Sequence, residues 1–357
     1  DGWFGHRNDD TTSLGDWVVN EEKLPGGLAP LIDRVEAEGL KFGIWFEPEM
    51  ISPDSDLFRA HPDWHVYVAG REPMLGRNQY VLDVSRRDVR DAVWAQMEQV
   101  LSTGRIAYLK WDFNRNITDA GSAQLPPERQ TEFFHRFILG TYDLMDRLTT
   151  QFPDILFENC SGGGGRFDPA MLYYSPQIWA SDNTDPIERL YVQFGTSLCY
   201  PASTVGAHVS ACPRTGYETK GNVALWGTFG YELDPRKLTE NDRAIVRRQV
   251  TLYHDTYDLI RTGDLYRLVS PFDNAFRAVW QIVSEDKTRT MVTLVTMRMD
   301  YIPHTILRLR GLDPDRIYED EQTGKRYSGA LLMNAGLNLT YTANSDGASA
   351  VLLFKAV

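Results

Sequence analysis

The sequence predicts an α/β fold, a (β/α)₈ (TIM) barrel portion over residues 1–262, followed by an antiparallel β-sandwich domain over residues 263–357. Apolar runs of strand length alternate with helical patterns up to residue 262, which is typical of a parallel sheet. Carboxylates and a glycine-rich segment follow several of these runs, at the end where a barrel presents its site. After residue 263 the pattern changes to the two-residue alternation of antiparallel strands.

The barrel portion contains six predicted strands and five predicted helices. The strands are apolar runs at residues 41–46, 106–111, 155–160, 177–181, 203–207 and 224–231. Helical patterns lie between them, at residues 28–38, 87–101, 128–151, 187–198 and 241–262. Residues 81–83 are predicted as a short extra strand. A doubly wound sheet would also bring strand ends to one edge, but it usually has a glycine-rich phosphate turn after its first strand, so the barrel is favoured.

The C-terminal part shows three alternating runs, and turn sequences separate them. The runs cover residues 278–283, 291–295 and 350–354, and the turns are at residues 321–324 and 345–347. Trp280 is interpreted as a core residue of this domain.

Composition and charge exclude several classes of protein. Among 357 residues, 42% are hydrophobic and 24% charged, which is the ordinary globular profile. The net charge of −12 argues against nucleic acid or an anionic membrane as the main partner. Three widely spaced cysteines, Cys160, Cys199 and Cys212, predict free thiols rather than a disulfide framework, and we expect a cytoplasmic protein.

Residues 108–115 (Tyr-Leu-Lys-Trp-Asp-Phe-Asn-Arg) form an apolar strand that ends in charged side chains. Because side chains alternate along a strand, Lys110 and Asp112 are expected on one face and Trp111 on the other. A cation beside a carboxylate favours the ionised form, and an ionised, positioned carboxylate can attack the anomeric carbon of a sugar. Asp112 is thus a candidate nucleophile, with a solvated strand end and a surface salt bridge as the alternative.

A second run repeats this arrangement, since residues 177–185 place Trp179 on a strand and then Asp182 and Asp185 after it. Two carboxylates from separate strands are what glycoside hydrolysis requires. Either aspartate could instead cap the helix that starts near Pro186. We interpret Asp185 as the cap and Asp182 as the catalytic group.

Aromatic and glycine-rich segments complete the candidate site. Trp45 and Trp179 stand beside strand ends, where a ring can stack on the apolar face of a sugar. Glu47 and Glu49 also follow a strand. The segment at residues 160–166 (Cys-Ser-Gly-Gly-Gly-Gly-Arg) lets backbone N–H groups approach a ligand, but it lacks the Gly-Lys-Ser/Thr of a phosphate loop. No pair of ligand-spaced motifs indicates a metal, so we expect neither a metal nor an organic cofactor.

Taken together, seven segments resemble glycoside hydrolase family 36, the α-galactosidases of the bacterial melibiose and raffinose type. They are Asp-Gly-Trp-Phe-Gly-His-Arg-Asn-Asp-Asp at 1–10 with Ser-Leu-Gly-Asp-Trp at 13–17, Lys-Phe-Gly-Ile-Trp-Phe-Glu-Pro-Glu-Met at 41–50, Gly-Arg-Asn-Gln at 76–79, Lys-Trp-Asp-Phe-Asn-Arg at 110–115, Glu-Asn-Cys-Ser-Gly-Gly-Gly-Gly-Arg at 158–166 and Ser-Asp-Asn-Thr-Asp at 181–185. They stand in the family's order, and the β domain follows them.

The resemblance implies a retaining exo-α-galactosidase that releases terminal α-galactose from oligosaccharides such as melibiose and raffinose by double displacement. Asp112 matches the nucleophile and Asp182 the general acid/base. The substrate-binding positions that match are Asp1, Trp45, Arg77, Lys110, Asn114, Cys160, Gly162, Gly163 and Trp179. Asp1 matches the second of two acids that hold the O4 and O6 hydroxyls, and the glycines match a loop near O2.

The resemblance also implies that the visible strands are the third to eighth of the barrel, because family members have a β-sandwich and earlier strands before this point. We therefore expect the chain to be part of a longer enzyme, which the family pattern makes a homo-oligomer. Alternatives are an α-N-acetylgalactosaminidase, a galactosyl transferase of the same family, or a non-catalytic galactose-binding protein.

Overall fold

The computed structural model describes residues 2–299 and 305–357, which form two compact units. The first unit ends at Ile178 and the second begins at Trp179. The domain division predicted at residues 262 and 263 falls inside the second unit and stays a prediction. Within the described residues, no helix has both the length and the apolar character needed to cross a membrane.

The first unit alternates strands and helices, as its sequence predicts. The helices are α1 (Ala29–Ala37), α2 (Asp56–Ala60), α3 (Arg87–Leu101), α4 (Phe133–Gln151) and α5 (Pro169–Tyr174). The strands are β1 (Phe42–Phe46), β2 (Met50–Ile51), β3 (Tyr80–Val81), β4 (Ile106–Trp111), β5 (Leu156–Asn159) and β6 (Gln177–Trp179), the last of which reaches the second unit. Strand β4 lies between β1 and β5, and all three run parallel, as do β5 and β6.

Burial explains why these residues form this layer of strands and helices. Phe46 and Trp111 at the C-terminal ends of β1 and β4, and Phe157 within β5, are almost completely buried, as expected of parallel strands that pack against helices. Helix α3 buries Val89, Val93, Trp94, Met97, Val100 and Leu101, which repeat at the three- and four-residue spacing of a helix face. The apolar residues that repeat with this period in the sequence therefore form the face of the helix that packs in the core.

The second unit begins with further alternating elements. They are α6 (Pro186–Thr196), β7 (Val205–Ser210), α7 (Tyr217–Ala224), β8 (Thr228–Glu232) and α8 (Glu240–Thr262). Strands β7 and β8 are parallel. Thr239 starts α8 with a capping box, since its hydroxyl accepts from the Asp242 amide while the Asp242 carboxylate accepts from the Thr239 amide.

The rest of the second unit is an antiparallel β domain. It contains β9 (Asp264–Val269), β10 (Arg277–Val283), β11 (Arg289–Thr296), β12 (Ile306–Leu307), β13 (Ile317–Asp320), β14 (Arg326–Ser328), α9 (Gly329–Asn334), β15 (Leu337–Asn338) and β16 (Ser349–Ala356). Six strands form one sheet in the order β14-β13-β16-β11-β10-β9, and β12 pairs with β15. Trp280 is completely buried and stacks on Trp226 at 4.7 Å between ring centroids, so its predicted core position is confirmed.

All six strands predicted before residue 262 are present, but several details of the prediction were wrong. The predicted helix at 128–151 begins with a 3₁₀ turn (Pro127–Glu132) before α4. The predicted strand at 224–231 starts only at Thr228, because α7 occupies the residues up to Ala224. The short strand predicted at 81–83 is β3, which pairs antiparallel with β2 rather than joining the parallel strands.

Candidate active site

The candidate site of the first unit is built where β1, β4 and β5 end side by side. The parallel ladder continues one residue past the strands, since the Asp112 amide donates to the Phe46 carbonyl and the Cys160 amide to the Trp111 carbonyl, both at 2.8 Å. Glu47, Asp112 and Cys160 therefore leave three neighbouring strands at one edge. This confirms the expectation that the residues following these strands meet at the C-terminal edge.

The Asp112 carboxylate is fixed by two N–H donors. The indole Nε1 of Trp45 donates to Oδ2 at 3.1 Å, and the Phe113 amide donates to Oδ1 at 3.0 Å. Asp112 is only 7% exposed. Each carboxylate oxygen thus has its own partner, which gives the group a defined orientation at the edge of the sheet. Trp45 was predicted as an aromatic wall, and the structure adds its hydrogen bond to Asp112.

Lys110 lies on β4 opposite Glu158 on β5, and its ammonium nitrogen is 3.6 Å from Glu158 Oε1. The sequence analysis paired Lys110 with Asp112 and gave Glu158 no role. Glu158 is fully buried and also accepts from the Tyr108 hydroxyl and the Gln177 side-chain amide. Burial, with the Glu158 charge next in importance, raises the pKa of Tyr108 far above its usual range. Glu158 lies within an apolar predicted strand, and a carboxylate in such a place requires a partner. This feature of the sequence could have predicted its pairing with a cation.

A second buried carboxylate, Glu47, lies beside Asp112. Its Oε1 accepts from Gln79 Nε2 at 3.0 Å and from the Asn114 amide at 2.7 Å. Burial, and next in importance the charge of Asp112, raises the pKa of Glu47 to about 7 against the opposing effect of those hydrogen bonds. The sequence analysis placed Glu47 after a strand without assigning it a function.

Arg77 reaches the same segment from a tight turn. Its Nη1 donates to the Asn114 carbonyl at 3.2 Å. Gly76 and Gln79 exchange backbone hydrogen bonds, and the two residues between them, Arg77 and Asn78, have φ of 50° and 59°. Positive φ at both central residues defines a type I′ turn, which is strained for an arginine. The turn holds Arg77 beside Asn114, so the structure brings these two predicted residues together.

The glycine-rich segment follows β5 and includes Cys160, which is buried. Burial, followed by the charge of Asp112, raises the pKa of the Cys160 thiol well above its usual range. Gly162 and Gly163 adopt φ of 50° and 84°, where a side chain would be strained. A Cβ built on Gly162 would meet no atom of the described residues within 4 Å, so the surface there is open.

A network behind the site ties this segment to β1 and β4. Fully buried Glu49 accepts from Arg166 Nη1 at 2.9 Å, from Trp111 Nε1 at 2.9 Å and from the Thr141 hydroxyl at 2.8 Å. The Arg166 guanidinium also lies over the Phe113 ring at 4.5 Å. The sequence analysis assigned neither Glu49 nor Arg166 a role, because their pairing spans more than a hundred residues.

In the second unit, Trp179 and Asp182 come together at the end of β6. The indole Nε1 of Trp179 donates to Asp182 Oδ1 at 3.0 Å. The Trp179 ring stacks on His208 at 4.5 Å, and the guanidinium of Arg189 lies 4.7 Å from the ring centroid. Asp185 caps α6 by accepting from the amides of Ile187 and Glu188, which confirms its predicted capping role.

Asp1, predicted to contact substrate, lies outside the described residues. Among residues 2–299 and 305–357, no group of three or more His, Cys, Asp or Glu side chains is arranged to hold a metal ion.

The chain matches two family models that follow one another along its length. The Melibiase model matches residues 1–263, and the model of the glycosyl hydrolase family 36 C-terminal domain matches residues 277–354. Among curated proteins, the chain is 50% identical over 364 residues to the α-galactosidase AgaA of Geobacillus stearothermophilus, covering 100% of this chain and 50% of AgaA.

Solved structures agree with these matches. The crystal structure of the family 36 α-galactosidase AgaB from Geobacillus stearothermophilus has a TM-score of 0.97 and 50% identity, covering 100% of this chain and 50% of that one. An AgaA variant in complex with raffinose has a TM-score of 0.96 with the same identity and coverage. The chain spans about half the length of these relatives. The predicted fold class is thereby confirmed, and the chain belongs to glycoside hydrolase family 36.

Proposed function

We propose that the protein hydrolyses terminal α-galactosyl residues of oligosaccharides, with retention of configuration, by double displacement at Asp112. The observation that carries this proposal is the Asp112 carboxylate, fixed by Trp45 and by the Phe113 amide at the end of a parallel strand. Half of all aligned residues are identical to those of an α-galactosidase over the whole chain, which supports galactose as the sugar.

In the first step an oxygen of Asp112 attacks the anomeric carbon, and the bond from that carbon to the glycosidic oxygen breaks. Asp182, as the carboxylic acid, gives its proton to the departing oxygen, so the leaving sugar is released as an alcohol. The product is a galactosyl ester of Asp112. In the second step the Asp182 carboxylate takes a proton from water, whose oxygen attacks the anomeric carbon. The ester bond breaks, and galactose and the Asp112 carboxylate are regenerated.

The other predicted residues bind galactose in this proposal. Lys110 and Arg77 donate to hydroxyl groups, and the carbonyl of Asn114 is held by Arg77. The open surface at Gly162 supports a pocket that admits a 2-hydroxyl group beside Cys160. Trp45 and Trp179 line the sugar with aromatic rings. The roles of Asp1 and Gly163 rest on the family resemblance.

Raffinose-type oligosaccharides are the proposed natural substrates. Relatives have been solved in complex with raffinose and with stachyose, both at 50% identity to this chain. This chain covers 50% of the length of those proteins.

The direct test is hydrolysis of p-nitrophenyl α-galactoside by the wild type, Asp112→Ala, Asp182→Ala and the control Asp258→Ala. Asp258 is exposed on α8 and pairs with Arg261. We expect Asp112→Ala to lose nearly all turnover, since removing a nucleophile costs several kcal/mol of transition-state stabilisation. Asp182→Ala should retain more activity on this substrate than on raffinose, because nitrophenolate leaves without a proton.

Three outcomes would overturn the proposal. Hydrolysis that survives Asp112→Ala would exclude Asp112 as the nucleophile. Faster hydrolysis of the N-acetylgalactosaminide than of the galactoside by the wild type would instead assign the chain to the N-acetylgalactosaminidase alternative. Binding of galactose without any hydrolysis would support the sugar-binding alternative.

A further inference from the structure

Glu47 is a buried carboxyl group next to the proposed nucleophile, and the mechanism above does not use it. It follows β1 directly and is only 2% exposed. Ionised groups in such places are costly unless hydrogen bonds or opposite charges compensate them. A residue needed only to fill this space could be apolar, so the carboxyl group requires an explanation.

The hydrogen bonds of Glu47 join two segments that carry proposed site residues. Its Oε1 accepts from the Asn114 amide, two residues after Asp112, and from the side chain of Gln79. Gln79 closes the type I′ turn that presents Arg77, and Arg77 in turn donates to the Asn114 carbonyl. One oxygen of Glu47 therefore fixes both the segment after the nucleophile and the base of the arginine turn.

The charged groups that act on Glu47 come from three parts of the first unit. Asp112 at the end of β4 disfavours the ionised form, and Arg77 from the turn favours it. Arg7 of the N-terminal segment is close enough for the Glu47 charge to favour its protonated form. Burial is the largest cause, and together these effects raise the pKa of Glu47 to about 7. A positive charge added beside Asp112 should favour ionisation of Glu47.

We propose that Glu47 is a positioning residue for the hydrolysis: it fixes the Asp112–Asn114 segment and the Arg77 turn, and it releases its proton to the solvent when a cationic sugar occupies the site. This inference rests on the proposed function. The positive charge that develops on the sugar ring in the transition state would then be stabilised by the ionised Glu47 while Asp112 forms its bond to the anomeric carbon. Glu47 forms no bond to the substrate.

Two variants separate the roles of shape and charge. Glu47→Gln keeps a side-chain oxygen that can accept from Asn114 and Gln79 but cannot ionise. Glu47→Ala removes the acceptor, and the Asn114 amide loses its partner. Asp83→Asn is the matched control, because Asp83 is also a fully buried carboxyl group of the first unit, but its partners are Ser85 and Ser122. Thermal unfolding of each variant reports whether it is folded.

The first readout is kinetic, with p-nitrophenyl α-galactoside as substrate. We expect Glu47→Ala to lower kcat by at least about tenfold and to raise KM, since small displacements of reacting groups cost large factors in rate. The KM of Glu47→Gln should be much closer to that of the wild type than the KM of Glu47→Ala, because the side-chain oxygen of the glutamine can still order the turn. Asp83→Asn should leave both constants close to the wild type even if its unfolding temperature falls.

The second readout is proton release on binding of 1-deoxygalactonojirimycin, measured by calorimetry in buffers of different ionisation enthalpy. Near pH 7 the wild type should release more protons than Glu47→Gln, by up to about half a proton, because a pKa of about 7 leaves Glu47 partly protonated before binding. Proton uptake by the inhibitor itself is common to both proteins and cancels in the difference.

The outcomes are distinguishable from failure of the proposed function. If the wild type neither hydrolyses the galactoside nor binds the inhibitor, the proposed function fails, and the inference fails with it. If the wild type does both and Glu47→Gln matches it in proton release, or Glu47→Ala matches it in kcat and KM, the inference alone is overturned. If Glu47→Ala does not fold, the inference is tested by proton release alone: it stands if Glu47→Gln releases fewer protons than the wild type and is overturned if the two are equal.

Discussion

Replacing Trp45 by Phe tests how much the indole hydrogen bond to Asp112 contributes to catalysis. The substitution keeps an aromatic ring but removes the Nε1 donor, which lies 3.1 Å from Asp112 Oδ2. A hydrogen bond to a charged group contributes about 1.5–3 kcal/mol. If all of that acts in the transition state, kcat/KM should fall by about 10- to 150-fold, at tenfold for each 1.36 kcal/mol.

Trp17→Phe is the matched control. Trp17 belongs to the same aromatic cluster, 6.2 Å from Trp45 between ring centroids. Within the described part of the chain its buried Nε1 has no hydrogen-bond partner, so the same loss of ring volume removes no such bond. The assay is kcat/KM for p-nitrophenyl α-galactoside, with thermal unfolding to confirm that both variants fold. A folded Trp45→Phe within twofold of the wild type, or an equal loss in Trp17→Phe, would refute the reasoning.

Three further predictions concern other groups in the molecule. Glu158→Gln removes the carboxylate that pairs with Lys110 and should raise KM, by up to about 100-fold if Lys110 loses its position. Steady-state kinetics measures this, and an unchanged KM would contradict it. Asp185→Ala removes the α6 cap and should lower the free energy of unfolding by about 1 kcal/mol, measured by urea denaturation against Asp258→Ala. Glu47 should make stability depend on pH: its pKa rises on folding from 4.5 to about 7, so its stabilising contribution is complete below pH 4.5 and is lost as the pH rises through 7. In total, Glu47 should change the free energy of unfolding by about 3 kcal/mol over this pH range. Unfolding curves of Glu47→Gln should lack this part of the pH dependence.

The parts of the fold that follow from local periodicity could be predicted from the sequence. Helix α3 occupies the predicted residues 87–101, because its apolar residues repeat on one face. The strands that precede Asp112 and Cys160 were predicted because their runs are apolar and short. Asp185 was recognised as a cap because an aspartate precedes Pro186 at the start of a helical pattern.

The parts that depend on contacts distant in sequence could not be predicted in this way. Helix α7 was missed because residues 219–224 are buried on every side and show no amphipathic period. The pairing of Lys110 with Glu158 depends on the register of β4 and β5, which only the folded sheet defines. The hydrogen bond from the Asn114 amide to Glu47 joins residues 67 positions apart. Such partners are set by tertiary structure rather than by local pattern.

The central claim is that Asp112 forms a covalent bond to galactose during hydrolysis. The most direct measurement is to incubate the full-length protein with 5-fluoro-α-galactosyl fluoride, which slows breakdown of the glycosyl ester, and to locate the added mass by peptide mass spectrometry. We expect one fluorogalactosyl group on the peptide that contains Asp112, and none in Asp112→Ala. A label on another carboxylate, or inversion of configuration with no label while turnover proceeds, would contradict the account.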